Sequence, residues 1–222
     1  MNETDETTAA NATGSDDAGP DPSLGVGIVT VASNRTLASD AAGEAIGSAL
    51  EGAGHEIATR EHVGPDHDRV QSIVLRVIER DDVDVVVTAG ATSVEPDDIA
   101  IEAIEPLLDK RLPAFTDLFT MLAYDAVGTR VVAARTLAGV AESTPVFSLP
   151  GNAEAARLGV EEILLHEARH LVELARGNGG ADDDGSHDDA TLIDAESRNG
   201  DGTNDAESRS KTGTNDAEPR NR

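Results

Sequence analysis

The stretch VDVVVTAG, residues 83–90, is apolar at almost every position, and a strand of that kind needs cover on both of its faces. VGIVTVA (26–32) and PVFSLPG (145–151) have the same character. The segments between them carry a helical period instead. GPDHDRVQSIVLRVIER places Val70, Ile73, Val74, Val77 and Ile78 on one helical face, and Asp40 stands where a helix running to about Ala53 needs an N-cap. HEIATREHV (55–63) alternates like a strand, and residues 99–108 and 113–126 read as helices. TRVVAART reads as a further strand and Ala153–Arg176 as one long closing helix. Apolar strands separated by amphipathic helices predict an α/β domain with a mainly parallel sheet. Ligands of such sheets bind beyond the carboxyl ends of the strands, which singles out the loops 32–40, 63–68, 88–98 and 149–153.

This pattern is confined to residues 24–176. Residues 1–23 are polar and predicted to be disordered. From residue 177 to 222 the chain carries an eleven-residue repeat, starting at Asp194, Asp205 and Asp216, that offers no apolar positions for stacking and reads as a solvated acidic tail. There is no cysteine, which excludes disulfides and thiolate metal sites. No apolar run approaches the roughly 20 residues that span a bilayer, and the N-terminus lacks the basic start and apolar middle of a signal peptide. No membrane partner and a cytoplasmic location are therefore expected.

Acidic residues outnumber basic ones 43 to 17, for a net charge of −26. Outside residues 1–22 and 177–222 there remain 25 acids and 12 bases, so the central segment carries −13 by itself. Lysine occurs only at Lys110 and Lys211. Such a surface repels nucleic acid and suits concentrated salt, where screening removes the self-repulsion. A chain trimmed to residues 23–176 is expected to fold, and its melting temperature to rise as salt goes from dilute to molar. A melting temperature unchanged across that range would contradict the salt-adapted reading.

His166-Glu167 followed by His170 matches the HExxH pattern of zinc peptidases. The apolar stripe of this helix consists of Val160, Leu164, Ala168, Leu171, Val172 and Ala175. At 100° per residue His166 lies about 200° around from Leu164, on the solvent side with His170 and Glu173. A peptidase needs its histidines in a cleft and a third ligand further along. The pattern is read as a solvent face, without zinc.

In TAGATSVEPDD (88–98) small residues let backbone amides approach a phosphate, and the helix that follows adds positive potential. Asp97 and Asp98 suit either an N-cap or a magnesium ion, and the whole stretch also fits an ordinary strand–turn–helix connection. Asp66 in GPDHD has the same two readings. LPGN (149–152) is a sharp turn that either only reverses the chain or turns its amides to a ligand. Phe115, Phe119 and Met121 read as core contacts.

The succession TVASNRT, GPDH, TAGATSVEPDDIAIEAIEPLLDKRLPAFTDLFTMLAYDAVGT, AARTLAG and VFSLPGN resembles the MoaB/Mog family over residues 24–176. The resemblance implies a three-layer α/β/α domain, a homo-oligomer (trimer or hexamer) and a part in molybdenum-cofactor biosynthesis. It further implies transfer of AMP from ATP, with Mg2+, to the terminal phosphate of molybdopterin. Asp66 and Asp98 match the family's key acids, with catalytic and magnesium-holding roles. Gly90, Ala91, Thr92, Ser93, Arg135, Leu149, Pro150 and Gly151 match its substrate- and phosphate-binding positions. Ala91 and Ser93 replace glycines, Ala32-Ser33 replaces Ser-Asp, Thr120 replaces an arginine and Ala134 a serine. These departures support a second reading, a non-catalytic paralogue that binds molybdopterin or a partner protein.

Overall fold

The computed structural model describes residues 23–33 and 36–177, so the expectations for the two tails and the repeat fall almost wholly outside the described residues. Six strands form one sheet: β1 (Gly25–Val31), β2 (Glu56–Val63), β3 (Val85–Ala89), β4 (Lys110–Arg111), β5 (Leu137–Ala141) and β6 (Thr144–Leu149). Their order is β2-β1-β3-β6-β5-β4. The pairings β1–β2, β1–β3 and β3–β6 are parallel, and β5–β6 and β4–β5 are antiparallel. Alternation along the strands divides the core. Val26, Ile28, Val85 and Val87 pack under α1 (Ala41–Gly52), α4 (Pro113–Val127), α5 (Ala153–Gly159) and α6 (Leu165–Ala175). Val29, Val31 and Val86 pack under α2 (His67–Ile78) and α3 (Ala100–Ile104) on the other face. The expected three-layer α/β/α domain with a mainly parallel sheet is the observed one.

The predicted helix signals hold at α1 and α2. Asp40 caps α1 by accepting from Gly43 N at 2.9 Å, and Val70, Val74, Val77 and Ile78 are buried on α2 with Ile73 packed beside them.

Three expectations fail locally. TRVVAART is not a strand: Gly128, at φ +62°, ends α4, and Gly128–Ala133 form a 3-10 helix in which Val131 is buried while Val132 is exposed. The strand lies just beyond, at Leu137–Ala141. The closing helix is not continuous, because a π-helical turn at Val160–Leu164 separates α5 from α6. Phe115 and Phe119 are core residues, with Phe115 edge-on to Phe147 at 5.3 Å, but Met121 is 68% exposed on the outer side of α4.

On α6 and the π turn, Val160, Ile163, Leu164, Ala168 and Val172 are buried. His166, Glu167, His170 and Glu173 are exposed, as the helix geometry predicts. His166→Ala is accordingly expected to leave the melting temperature and activity unchanged. One zinc per chain by elemental analysis, lost with that substitution, would overturn this reading of the helix face. Among the described residues no helix is long and apolar enough to cross a membrane.

Candidate active site

The carboxyl ends of β1, β3 and β6 lie side by side, since Thr30 pairs with Ala89 and Ala89 with Leu149. The chain leaves β3 at Gly90, whose φ of +96° favours glycine, and Gly90 N donates to Leu149 O at 3.0 Å. A Cβ at Gly90 would stand 2.4 Å from the carbonyl oxygen of Val31, and one at Gly151 2.9 Å from the Cα of Gly90. Two glycines thus let three strand ends converge. Over them opens a cleft of about 620 Å3. Its floor is tied by buried hydroxyls: Thr88 Oγ1 donates to Ser148 Oγ at 2.9 Å, and Thr30 Oγ1 to the buried Asp40 at 2.6 Å.

One wall is the loop from Gly90 to Asp98. Ala91 has φ +51°, the left-handed conformation in which a side chain costs roughly 1 kcal/mol or more. Ala91, which replaces a family glycine, therefore carries that strain. The strain is absent at Ser93, whose backbone is not left-handed and whose Oγ donates to Ala133 O across the cleft at 3.1 Å. Ala91→Gly is expected to stabilise the fold by about 0.5–1 kcal/mol, while Ser93→Gly loses a bridge and gains nothing. Thermal melts of the two variants, shifting in opposite directions, would check this.

Asp98 Oδ2 accepts from Glu95 N at 3.0 Å while Asp98 N donates to Glu95 O at 3.0 Å, so Asp98 fastens the turn in the loop. Neither Asp97 nor Asp98 caps α3, whose N-cap is Ile99 without a side-chain cap bond. Asp66 does cap α2, accepting from Arg69 N at 2.9 Å.

The structure brings Gly90, Ala91, Thr92, Ser93, Asp98, Pro150 and Gly151 together in the cleft lining. It leaves three of the matched residues outside that lining. Asp66 is exposed next to the lining residue Pro65. Leu149 is fully buried, and its carbonyl serves the floor through Gly90. Arg135 is turned to protein, not to the cleft: Nε donates to Thr92 O and Ser93 O at 3.0 and 2.7 Å, and Nη2 to Asp98 O at 2.9 Å. Both terminal nitrogens also meet the Glu102 carboxylate, and this hydrogen-bonded ion pair holds the Glu102 carboxyl below its ordinary range. The direct phosphate contact expected of Arg135 is not the contact this geometry provides.

Of the other replaced family positions, Ala32, Ser33 and Ala134 line the cleft and Thr120 does not. Thr30 and Glu95 line it too, and reasoning from sequence missed them. A lone polar residue near the end of an otherwise apolar strand is the signal that would have found Thr30. Among the described residues no three His, Asp or Glu side chains converge to hold a metal.

The chain matches the family model of a probable molybdopterin binding domain over residues 27–170. It is 37% identical over 150 residues to molybdenum cofactor biosynthesis protein B of Bacillus subtilis, covering 67% of this chain and 88% of that protein. A crystal structure of molybdenum cofactor biosynthesis protein B superposes with a TM-score of 0.69 at 33% identity, covering 72% of this chain and 99% of the other. The tungsten cofactor synthesizing protein MoaB from Pyrococcus furiosus does so with a TM-score of 0.62 at 32% identity, covering 69% and 98%. With the fold, the cleft and these likenesses in agreement, the chain belongs to the MoaB/Mog family of molybdenum-cofactor biosynthesis proteins.

Proposed function

We propose that this chain transfers AMP from Mg-ATP to the terminal phosphate of molybdopterin. The observation that carries the reading is the convergence of three strand ends at Gly90 and Gly151 beneath a loop of small residues. Backbone there approaches a polyanion without intervening side chains, and fixed amide dipoles need no reorganisation as charge develops.

In the proposed reaction an oxygen of the pterin's terminal phosphate attacks the α-phosphorus of ATP. One P–O bond forms, the bond from the α-phosphorus to the α–β bridging oxygen breaks, and pyrophosphate leaves. The attacking oxygen is already an anion near neutral pH, so no general base is required. The loop from Gly90 to Ser93 and the turn at Pro150-Gly151 would position the phosphates.

The residues present fit magnesium. Asp98 uses one carboxylate oxygen on Glu95 N, its other oxygen accepts no hydrogen bond among the described residues, and Glu95 and Asp97 line the same cleft. Magnesium is commonly held by one or two carboxylates together with substrate phosphates and water. When bound, it neutralises charge on the phosphate oxygens. Asp98 would hold it, and Asp66, beside the cleft, would orient the nucleotide or the hydrated ion.

The homo-oligomer implied by the family has support in the outer face of α4, where Leu118, Met121, Tyr124 and Val127 are all about half exposed or more. Incubation with Mg-ATP and molybdopterin, followed by mass spectrometry, tests the reaction. A pterin product heavier by one adenylyl group, with pyrophosphate released, is expected. Retention of unmodified molybdopterin on the protein, with no product, would favour the non-catalytic paralogue, a reading that the strained Ala91 and the replaced Ala134 keep in play.

A further inference from the structure

Arg135 faces loop 90–98 from outside the cleft, where Nε and Nη2 donate to its carbonyls, while Nη1 donates to Glu102 on α3. Three carbonyls, of Thr92, Ser93 and Asp98, converge on this one guanidinium. In a trans peptide the carbonyl and the following N–H point in opposite directions. Fixing Thr92 O and Ser93 O on Arg135 therefore turns the N–H groups of Ser93 and Val94 away from it. Among the described residues neither of those N–H groups donates a hydrogen bond, although Ser93 is half-buried and lines the cleft. Glu102 meets the guanidinium with both oxygens, which fixes the plane of the fork and balances its charge. Arg135 thus adds little positive potential to the cleft. Its effect on an anion passes through the loop.

We propose that Arg135, oriented by Glu102, is a positioning residue that aims the amide of Ser93 at phosphate groups in the cleft. This rests on the reading of the cleft as a nucleotide site, and it replaces a direct arginine–phosphate contact with a loop clamp.

The test uses the full chain with Arg135→Lys and Glu102→Gln. Lysine keeps the charge, but a compact ammonium cannot span three carbonyls and a carboxylate as a planar fork does. Backbone NMR order parameters for residues 91–98, measured without nucleotide, are expected to fall in Arg135→Lys from about 0.85 to below about 0.6. The KM for Mg-ATP and the Kd for inorganic pyrophosphate should both rise about tenfold, the equivalent of one lost amide–anion hydrogen bond, with a smaller change in kcat. Glu102→Gln should move the same quantities in the same direction by less. A loop as ordered in Arg135→Lys as in wild type would overturn the proposal, whatever happened to KM. So would unchanged pyrophosphate binding with a disordered loop. If wild type transfers no AMP but order and pyrophosphate affinity respond as stated, the clamp stands and the adenylyl-transfer reading fails.

Discussion

Asp98→Asn is expected to lower the rate of AMP transfer by on the order of 100-fold or more while shifting the melting temperature by no more than about 2 °C. The two effects separate because the proposed reaction gives Asp98 two tasks. Its Oδ2 accepts from Glu95 N and closes the turn, which an asparagine carbonyl can do equally well. Its negative charge, in the cleft wall, is what a magnesium ion on the triphosphate requires, and asparagine lacks it. Asp66→Asn retains the cap on Arg69 N and lies outside the cleft lining, so its effect on transfer should be the smaller of the two. Steady-state rates and thermal melts of both variants check this ordering. Full activity in Asp98→Asn would remove Asp98 from the proposed machinery.

Gly90→Ala is expected to be strongly damaging. Its φ of +96° disfavours any side chain, and the new Cβ would sit 2.4 Å from the Val31 carbonyl oxygen, which belongs to a central strand and cannot swing aside. Left-handed strain and overpacking together cost roughly 3 kcal/mol, which in a domain of this size lowers the melting temperature by roughly 6–12 °C. Gly52→Ala is the control, because a Cβ there meets nothing within 4 Å, and it should be neutral or stabilising. Equal melting temperatures for the two variants would contradict the claim that Gly90 is required by the crossing of strand ends.

The parts of this fold that were legible from sequence share one property: each is specified by a local pattern. β1, β3 and β6 are nearly unbroken apolar runs, α2 shows its buried face at helical spacing, and Asp40 is an N-cap in plain view. The illegible parts are specified elsewhere. The turn joining β5 to β6 places Glu142 and Ser143 at φ +48° and +66°, a tight two-residue hairpin made without the Gly or Asn that usually announces it. β4 is only Lys110-Arg111, too short to carry a period. TRVVAART imitates a strand through its valines, yet only one of the pair is buried. The π turn at Val160–Leu164 shows no composition of its own.

The candidate site divides in the same way. Gly90, Gly151 and Asp98 were found from small residues and an acid at strand ends, where the topology puts ligands. Arg135 reads as a phosphate-binding residue because it matches a family position. Its actual partners, three carbonyls and Glu102, are brought to it only by the tertiary fold.

In the proposed reaction the cleft above β1, β3 and β6 holds the triphosphate of ATP. A crystal structure of this chain with magnesium and a non-hydrolysable ATP analogue tests this. Phosphate oxygens within about 3 Å of the Ser93 amide, with the metal on Asp98, are the predicted result. An analogue bound elsewhere with this cleft filled by solvent, or none bound at concentrations where catalysis is observed, would contradict it.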